Sequence, residues 1–471
     1  MLAGQAIAQS TSYPSPVSIS NSSIGGLTNS ISPSPYTGSV TQGQVKAGII
    51  PLSFKDAIDM GLRNNLGLLL QTDNQVAARG EKWKELSDLL PNLNLTTSEN
   101  VSRINLATLG LRFSVPNFPS VVGPFGYFDS RFYLSQSVLD LKAVNRTRGA
   151  SDEERAALYN YKDAREFVVL AVGNAYLQAL AGEARAAAAQ AQVETAQALY
   201  DKTADQQKAG TSPAIDTLRA RVELQSRQQQ LIVARNDFAK EKLALARAIG
   251  LPVAQEFGLS DKAPYQALVP MGLEESLQRA YASRPDYLAA AAQVRADEHY
   301  RKAASAEYLP TLGISANYGA SGVTPAGSHG SEAAYQVSGG LTIPIFQGGK
   351  THADVLQAEA NLRQSRQRLD NLRGQIEYEI RSALLDLAAA SDQVQVAKSS
   401  VDLANETLAQ ARDRFTAGVT DNLEVVQAQE SVANANEDYI SALYAHNLAK
   451  IELARAVGVA EEGVRQYLNS K

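Results

Sequence analysis

Residues 351–417 read THADVLQAEANLRQSRQRLDNLRGQIEYEIRSALLDLAAASDQVQVAKSSVDLANETLAQARDRFTA, and this stretch decides the fold. Apolar or small residues recur in it every seven positions, and a second apolar row follows four positions behind. The first row is Val355, Leu362, Leu369, Ile376, Ala383, Ala390, Ala397, Ala404 and Ala411, and the second is Ile380, Leu387, Val394, Val401, Leu408 and Phe415. A sustained seven-residue repeat specifies a coiled coil. The stretch therefore predicts one continuous helix, which would extend for about 100 Å.

The sequence contains an internal duplication. LARAIG at 245–250 returns as LARAVG at 453–458, and LPNL at 90–93 returns as LPTL at 309–312. LPNL and LPTL lie farther apart in the sequence than LARAIG and LARAVG do. The first half must therefore hold extra residues. We expect these extra residues in a longer loop near 104–126.

Each half predicts the same order of elements: a helix ended by Leu-Pro, two strands, a long helix, a glycine-containing turn and a return helix. In the first half the helix covers 53–89, the strands 93–103 and 127–138, the long helix 143–209 and the return helix 214–249. In the second half the helix covers 273–308, the strands 311–320 and 335–345, the long helix 351–417 and the return helix 421–457.

The corresponding domain boundaries place a leader before the first repeat and a tail after the second. They are a flexible leader at 1–48, a first repeat at 49–250, a linker at 251–272, a second repeat at 273–458 and a tail at 459–471. Residues 1–45 contain no Asp, Glu, Lys or Arg. This leader is either the remnant of an export signal or an ordinary disordered tail.

Apolar residues alternate along the predicted strands, which is typical of membrane-barrel strands but also of half-buried strands in a soluble sheet. Four strands cannot enclose a channel, because barrel diameter grows with strand number. Three chains would supply twelve strands, so a channel requires a trimer. Two of the shorter helices stacked end to end would match the length of one long helix. The expected pairs are 421–457 stacked on 53–89, and 214–249 stacked on 273–308. The links between them would then lie at mid-height.

Composition excludes several classes of site. The chain has no cysteine, which removes disulfides, zinc-thiolate sites and cysteine nucleophiles. A net charge of −5 gives no basic face for nucleic acid. No stretch satisfies the criteria for a transmembrane helix; the most apolar one, 167–181, lies inside a longer amphipathic pattern. His299, His329, His352 and His446 are scattered, so we expect no metal site, no cofactor and no enzymatic activity.

Three motifs resemble one known family. They are PIFQGG at 344–349 after a strand, Leu-Pro before the first strand of each half, and FTAGVTDNLEVV at 415–426. In this order, and with the duplication, the chain resembles the TolC family of outer-membrane efflux proteins. The resemblance implies a mainly α fold with a β-barrel part: a homotrimer with a 12-stranded barrel in outer-membrane lipid and an α-helical tunnel across the periplasm. It implies a passive exit channel whose partners are a periplasmic adaptor protein and an inner-membrane transporter.

The resemblance also implies a periplasmic entrance near the helix tips. Asp216 and Glu424 each stand six residues after a tip glycine, where the family carries carboxylates. The family's Tyr and Arg latch positions hold Phe415 and Thr420 here, which puts that latch in doubt. An acidic residue in the first turn of a helix also has a purely structural explanation, since it favours the helix dipole. The residues expected to contact the adaptor are Ala209, Gly210, Thr211, Ser212, Ala417, Gly418, Val419 and Thr420.

Two other classes of protein remain open at this stage. One is a coiled-coil scaffold that carries a small sheet but forms no channel. The other is a periplasmic adaptor protein, which also has a long helical hairpin. An adaptor needs lipoyl-like and barrel domains between the hairpin arms, and the sequence contains no such segment.

Overall fold

The computed structural model describes residues 35–41, 43–45, 47–110, 120–261, 265, 272–324 and 330–467. The predicted leader at 1–48 lies mostly outside the described residues. The helices are α1 (Phe54–Asn64), α2 (Leu66–Ser87), α3 (Leu141–Lys208), α4 (Ala214–Ile249), α5 (Leu273–Ser283), α6 (Pro285–Ala306), α7 (Lys350–Thr416), α8 (Asn422–Ala456) and α9 (Ala460–Tyr467). The strands are β1 (Ile50–Leu52), β2 (Asn92–Asn105), β3 (Val121–Leu139), β4 (Phe257–Leu259), β5 (Thr311–Thr324) and β6 (Gly330–Thr342).

The two long helices are confirmed, with 68 residues in α3 and 67 in α7. Both apolar rows of α7 point inward: Leu362, Ile376, Ile380, Leu387 and Val394 are all buried. The seam therefore packs as the seven-residue spacing predicts. Asp140 begins α3 by accepting a hydrogen bond from the Ala143 backbone N–H at 2.9 Å, as helix-capping aspartates do.

The middle of α3 is the most apolar part of the molecule. By length and composition this helix could cross a membrane, since its most apolar window has a mean hydropathy of 1.3. However, 56% of that window is buried inside the chain. Val168, Val169, Val172 and Tyr176 are fully buried within a core that α1, α4 and α8 also build. We therefore interpret it as a core helix.

The helices predicted at 53–89 and 273–308 are each broken in two, so those predictions were wrong in detail. Asn65 and Arg284 adopt extended backbone at the breaks, with ψ of 127° and 118°. Asn65 uses its side chain to cap α2, accepting from Leu68 N–H at 3.3 Å. Arg284 precedes Pro285, whose ring disfavours helical geometry in the residue before it.

The predicted stacking of the short helices was also wrong. The C-terminal end of α4 meets the α1–α2 junction, where Asn64 Nδ2 donates to the carbonyl of Ile249 at 2.9 Å. The end of α8 meets the α5–α6 junction, where Arg284 Nη1 donates to the carbonyl of Ala456 at 3.1 Å. Each return helix thus stacks on the short helices of its own half. Length could not decide this, because all four predicted segments were nearly equal in length.

The four long strands form one antiparallel sheet in the order β2–β3–β5–β6. Its register pairs Asn92 with Ser135, and Thr311 with Thr342. The predicted loop at 104–126 is shorter than expected, because β3 begins at Val121 and has 19 residues. The extra residues of the first half therefore lengthen the β2–β3 hairpin. β2 and β6 are the edges of the sheet.

The segments predicted to lie at mid-height do meet there. β1 pairs in parallel with β4, with Ile50 opposite Phe257. Leu52, Phe257 and Ala460 share one buried cluster with the middle of α3. This small sheet and the short helix α9 were not predicted, because three-residue strands and an eight-residue helix are too brief for a periodic signal.

Candidate channel entrance at the helix tips

Two tight turns close the ends of the long helices. Gly210 follows α3 and Gly418 follows α7, with φ of 74° and 70°. Both values lie in the left-handed region, which glycine adopts without strain. Thr211 N–H donates to the carbonyl of Gln206 at 2.9 Å, and Val419 N–H donates to the carbonyl of Arg414 at 3.0 Å. These bonds satisfy carbonyls that a helix end leaves free.

The predicted adaptor-contact residues are mostly exposed on these turns. Ala209, Gly210 and Thr211 are exposed on the first turn, and Ser212 is half-buried. The second turn is similar. Ala417, Gly418 and Val419 are exposed there, and Thr420 is half-buried. The two turns therefore present small, solvent-facing surfaces of nearly the same form.

The structure brings the two tips together through residues near Asp216. Asn422, at the start of α8, donates from Nδ2 to the backbone carbonyl of Asp216 at 2.8 Å. Arg219 Nη1 lies 3.8 Å from Asp216 Oδ1 and 3.6 Å from Asp421 Oδ2. One guanidinium group thus lies between carboxylates from both tips.

The two predicted entrance carboxylates have different surroundings. Asp216 is buried, with a side chain only 9% exposed, and it accepts a hydrogen bond from Ser212 Oγ at 3.0 Å. The Glu424 side chain is 39% exposed and lies 3.5 Å from Arg414 Nε. Both stand in the first turn of their helices, where a negative charge is favourable. Only Glu424 presents a substantial charged surface to solvent in the single chain.

Phe415 lies inside a small apolar cluster at the tips instead of forming a polar latch. It packs with Leu199, Leu408 and Val425, and it is 9% exposed. Lys202 Nζ lies 5.1 Å from the centre of its ring, within the range of a cation–π contact. Among the described residues, Thr420 Oγ1 donates to the neighbouring carbonyl of Asp421, at 3.1 Å.

Sequence reasoning missed Asn422 and Lys202. Lys202 also donates to Thr416 Oγ1 at 2.7 Å, so it joins the end of α3 to the end of α7. Neither residue belongs to a repeating sequence pattern, because each one contacts a helix that is distant in the sequence. The only available signal was Asp421 before Asn422, a residue pair typical of a helix start.

The structure gives no candidate metal centre among the residues it describes, since no three His, Asp or Glu side chains are grouped for one. His446 is buried, and burial together with nearby Lys450 lowers the pKa of its imidazole to about 4. His299 faces Asp152 at 3.7 Å, and His352 is exposed. His329 lies outside the described residues.

Comparisons with known proteins agree with this architecture. A family model described as "Outer membrane efflux protein" matches residues 62–251 and 276–459, once in each half. Outer membrane protein OprJ of Pseudomonas aeruginosa is 27% identical over 438 residues, which cover 88% of this chain and 85% of OprJ. Alkaline protease secretion protein AprF of the same species is 23% identical over 425 residues, covering 87% and 86%. The Campylobacter jejuni CmeC outer membrane channel has a similar fold, with a TM-score of 0.74 at 18% identity over 91% of this chain and 92% of CmeC.

Proposed function

The chain belongs to the outer membrane efflux protein family, and from that premise we propose how its surfaces assemble into a conduit. The protein is an outer-membrane exit channel of an efflux pump or a type I secretion system, reaching through the periplasm. This favours the channel over the coiled-coil scaffold and the adaptor. The proposal concerns three finer points: the trimer, the adaptor contact and the entrance.

An exposed apolar stripe on α4 carries the trimer proposal. Ile215, Leu218, Val222, Ile232 and Leu243 are between 48% and 70% exposed in the single chain. The first three are spaced by three and four residues, and Ile232 and Leu243 follow 10 and 11 residues later in the same seven-residue register. The opposite face of α4 already packs on α3 through Leu224 and Leu231. Because one face of α4 is already packed on α3, the exposed apolar stripe on its other face needs a second partner helix.

The other side of the protomer offers a matching surface. Leu385, Val396 and Leu403 of α7 are between 63% and 71% exposed, although the opposite face of α7 is buried against α8. Near the tips, α4 and α7 lie on opposite sides of the helix bundle, because α4 packs mainly on α3 whereas α7 packs mainly on α8. Contact between α4 of one protomer and α7 of the next would bury both stripes, and repeating this contact around a three-fold axis would close a ring.

The sheet supports the same arrangement. Its edges β2 and β6 carry exposed apolar residues, among them Val101 at 75% and Val337 at 71%. An open edge leaves backbone groups without partners, and a closed barrel removes that problem. Pairing β2 with β6 of the next protomer would give twelve strands from three chains. The outward-facing apolar residues would then contact lipid.

The exposed turns at Gly210 and Gly418 are the proposed contact with a periplasmic adaptor, which would in turn connect to an inner-membrane transporter. They lie at the far end of the long helices from the sheet, and a trimer would repeat them six times. The channel transports passively in this proposal and performs no catalytic step.

Native mass measurement in detergent tests the assembly. The wild-type protein should have three times the chain mass of 50.4 kDa. Leu218→Glu places a charge in the α4 stripe and should reduce the mass to that of one chain. Gln228→Glu is the control, because this exposed residue lies outside the stripe. A wild-type monomer that conducts ions, or a trimer unaffected by Leu218→Glu, would refute the α4–α7 interface.

A further inference from the structure

A cavity lies among the four helices near the tips. Its volume is about 350 Å³, and its polar lining comes from all four helices: Thr195 and Gln192 of α3, Arg227 of α4, Arg412 of α7, and Gln429 and Asn436 of α8. This volume falls within the range of pockets that hold small molecules. A second cavity of about 550 Å³ adjoins it towards Phe415 and shares Arg412 and Gln429.

Gln429 is the unusual residue of this cavity. It is only 6% exposed, and neither its Nε2 nor its Oε1 has a hydrogen-bond partner among the described residues. A buried amide without partners costs free energy. A hydrogen-bond acceptor in the cavity would pair with the Nε2 group and recover that group's share of the cost.

The cavity is positively charged. Arg227 is held by Glu223 at 2.6 Å and by Gln230 at 2.9 Å, so a carboxylate balances its charge. Arg412 has no ion pair in the part of the chain that the structure describes, and none of the residues lining the 350 Å³ cavity is acidic. The cavity therefore presents one uncompensated guanidinium group.

The rest of the lining consists of Asn405 and an apolar wall. The wall is formed by Ala188, Ala191, Leu408 and Val432. An apolar wall opposite one free cation suits a ligand with an apolar body and a single negative charge. A carboxylate suits Arg412 because guanidinium binds it through paired hydrogen bonds.

We propose that the cavity between the lower parts of α3, α4, α7 and α8 binds a small amphiphilic carboxylate, with Arg412 and Gln429 contacting its carboxyl group. The ligand would contact all four helices, so it would favour their present arrangement over one in which they separate. If the protein is a channel with its entrance at these tips, as proposed above, the ligand would hold that entrance in its present form. The binding step itself does not depend on the channel function.

The test uses the purified full-length protein in detergent and naphthoate as the probe, with binding measured by naphthalene fluorescence anisotropy and by titration calorimetry. Naphthamide, which has the same body and no charge, is the ligand control. Arg412→Gln and Gln429→Leu should each weaken naphthoate binding by about tenfold, the effect of losing one charge-assisted or buried hydrogen bond. The matched controls are Arg381→Gln on α7 and Gln427→Leu on α8, two exposed residues outside the cavity.

Three outcomes decide the proposal. Saturable naphthoate binding that both cavity variants weaken, with slower hydrogen exchange of the helices around Gln429, supports it. Equal affinity for naphthoate and naphthamide, or binding that neither cavity variant changes, overturns it and leaves a water-filled cavity. If Gln429→Leu proves too unstable to purify, Arg412→Gln decides alone, since its exposed side chain makes no ion pair among the described residues. Binding without conductance would count against the channel entrance and leave the binding site intact.

Discussion

The side-chain amide of Asn422 donates a hydrogen bond to the backbone carbonyl of Asp216 across 2.8 Å, and it joins the first turn of α8 to the first turn of α4. Asn422 is fully buried, and its Oδ1 has no partner among the described residues. The equivalent position of the first repeat is Ala214, which cannot make such a bond. This contact between the two halves of the chain is therefore asymmetric, although their sequences are duplicated.

Asn422→Ala should loosen the tips, because it removes this bond between the first turns of α4 and α8. We expect a local loss of about 1–2 kcal/mol, seen as faster hydrogen exchange in the first turns of α4 and α8. Single-channel conductance in a planar bilayer should rise as well. Asn434→Ala is the control, because Asn434 is exposed on the same helix. Unchanged exchange at both turns would show that the contact contributes nothing.

Gly418→Val should abolish export while leaving the trimer in the membrane. The φ of 70° at this position would cost a β-branched residue about 1–2 kcal/mol, and the added side chain would alter the exposed turn. Gly374→Val is the matched control, because Gly374 is helical and has open space around it. Drug susceptibility of cells at equal expression is the measurement. Normal efflux by the Gly418 variant would refute the adaptor contact at this tip.

Features that are set by neighbouring residues were predictable from the sequence, whereas features that are set by tertiary contacts were not. The apolar rows of α7, the glycine-containing turns at Gly210 and Gly418, and the four strands follow from short-range patterns, and the sequence predicted them. The break at Arg284 has a local signal in Pro285, whereas the break at Asn65 is held by a contact with a distant residue, the bond from Asn65 Nδ2 to the Tyr36 carbonyl at 2.6 Å. The stacking of α4 on α1 and α2, and the tie from Asn422 to Asp216, are likewise tertiary. No periodicity encodes them.

Arg284 should be among the most sensitive residues for stability. It is 3% exposed and contacts Asp286 at 2.7 Å, Glu379 at 2.7 Å and the Ala456 carbonyl at 3.1 Å. Removing one partner of a buried ion pair costs about 3–5 kcal/mol, because the other charges remain buried. Arg284→Met should therefore lower the thermal unfolding midpoint sharply. Arg381→Met, at an exposed pair with Glu377, should cost less than about 1 kcal/mol.

The docking of α9 should depend on pH. Glu166 of α3 accepts the Ala460 backbone N–H at 2.5 Å, and burial raises the pKa of its carboxyl from 4.5 to about 7. Because the pKa is raised above its value in the unfolded chain, the folded state binds the proton more tightly, so the stabilisation is complete below pH 4.5 and is lost as the pH rises through 7. The hydrogen bonds from the N–H groups of Ala460 and Glu461 act in the opposite direction, but burial has the larger effect. Burial also raises the pKa of Asp163 to about 6, in the same direction.

Hydrogen exchange of α9 measures this docking locally. The local readout matters because His446, whose pKa is lowered to about 4, opposes the trend in global unfolding. In the wild type, protection of α9 should increase as the pH falls from 7 to 4.5. Glu166→Gln should flatten this dependence. Equal pH slopes in the wild type and in Glu166→Gln would contradict the assignment.

The final prediction concerns ion selectivity. In the proposed trimer, Asp216 and Glu424 would place six carboxylates near the entrance, and rings of acidic side chains bias pores towards cations. The structure separates their contributions. The Asp216 side chain is 9% exposed and lies beside Arg219, whereas the Glu424 side chain is 39% exposed. Arg414, at 3.5 Å, balances part of the Glu424 charge, so the field in the opening should be weaker than six free carboxylates would give.

We therefore expect a cation-selective channel in which Glu424 contributes more than Asp216. Glu424→Gln should move the reversal potential in a salt gradient towards zero and weaken block by trivalent cations from the periplasmic side by about tenfold, because each removed charge lowers the local cation concentration. Asp216→Asn should have a smaller effect on selectivity and a larger one on the stability of the tips. Glu430→Gln, an exposed acid on the same helix away from the first turn, is the control. If Glu424→Gln retains wild-type selectivity and block, these acids serve only to begin their helices, and the selectivity of the channel arises elsewhere.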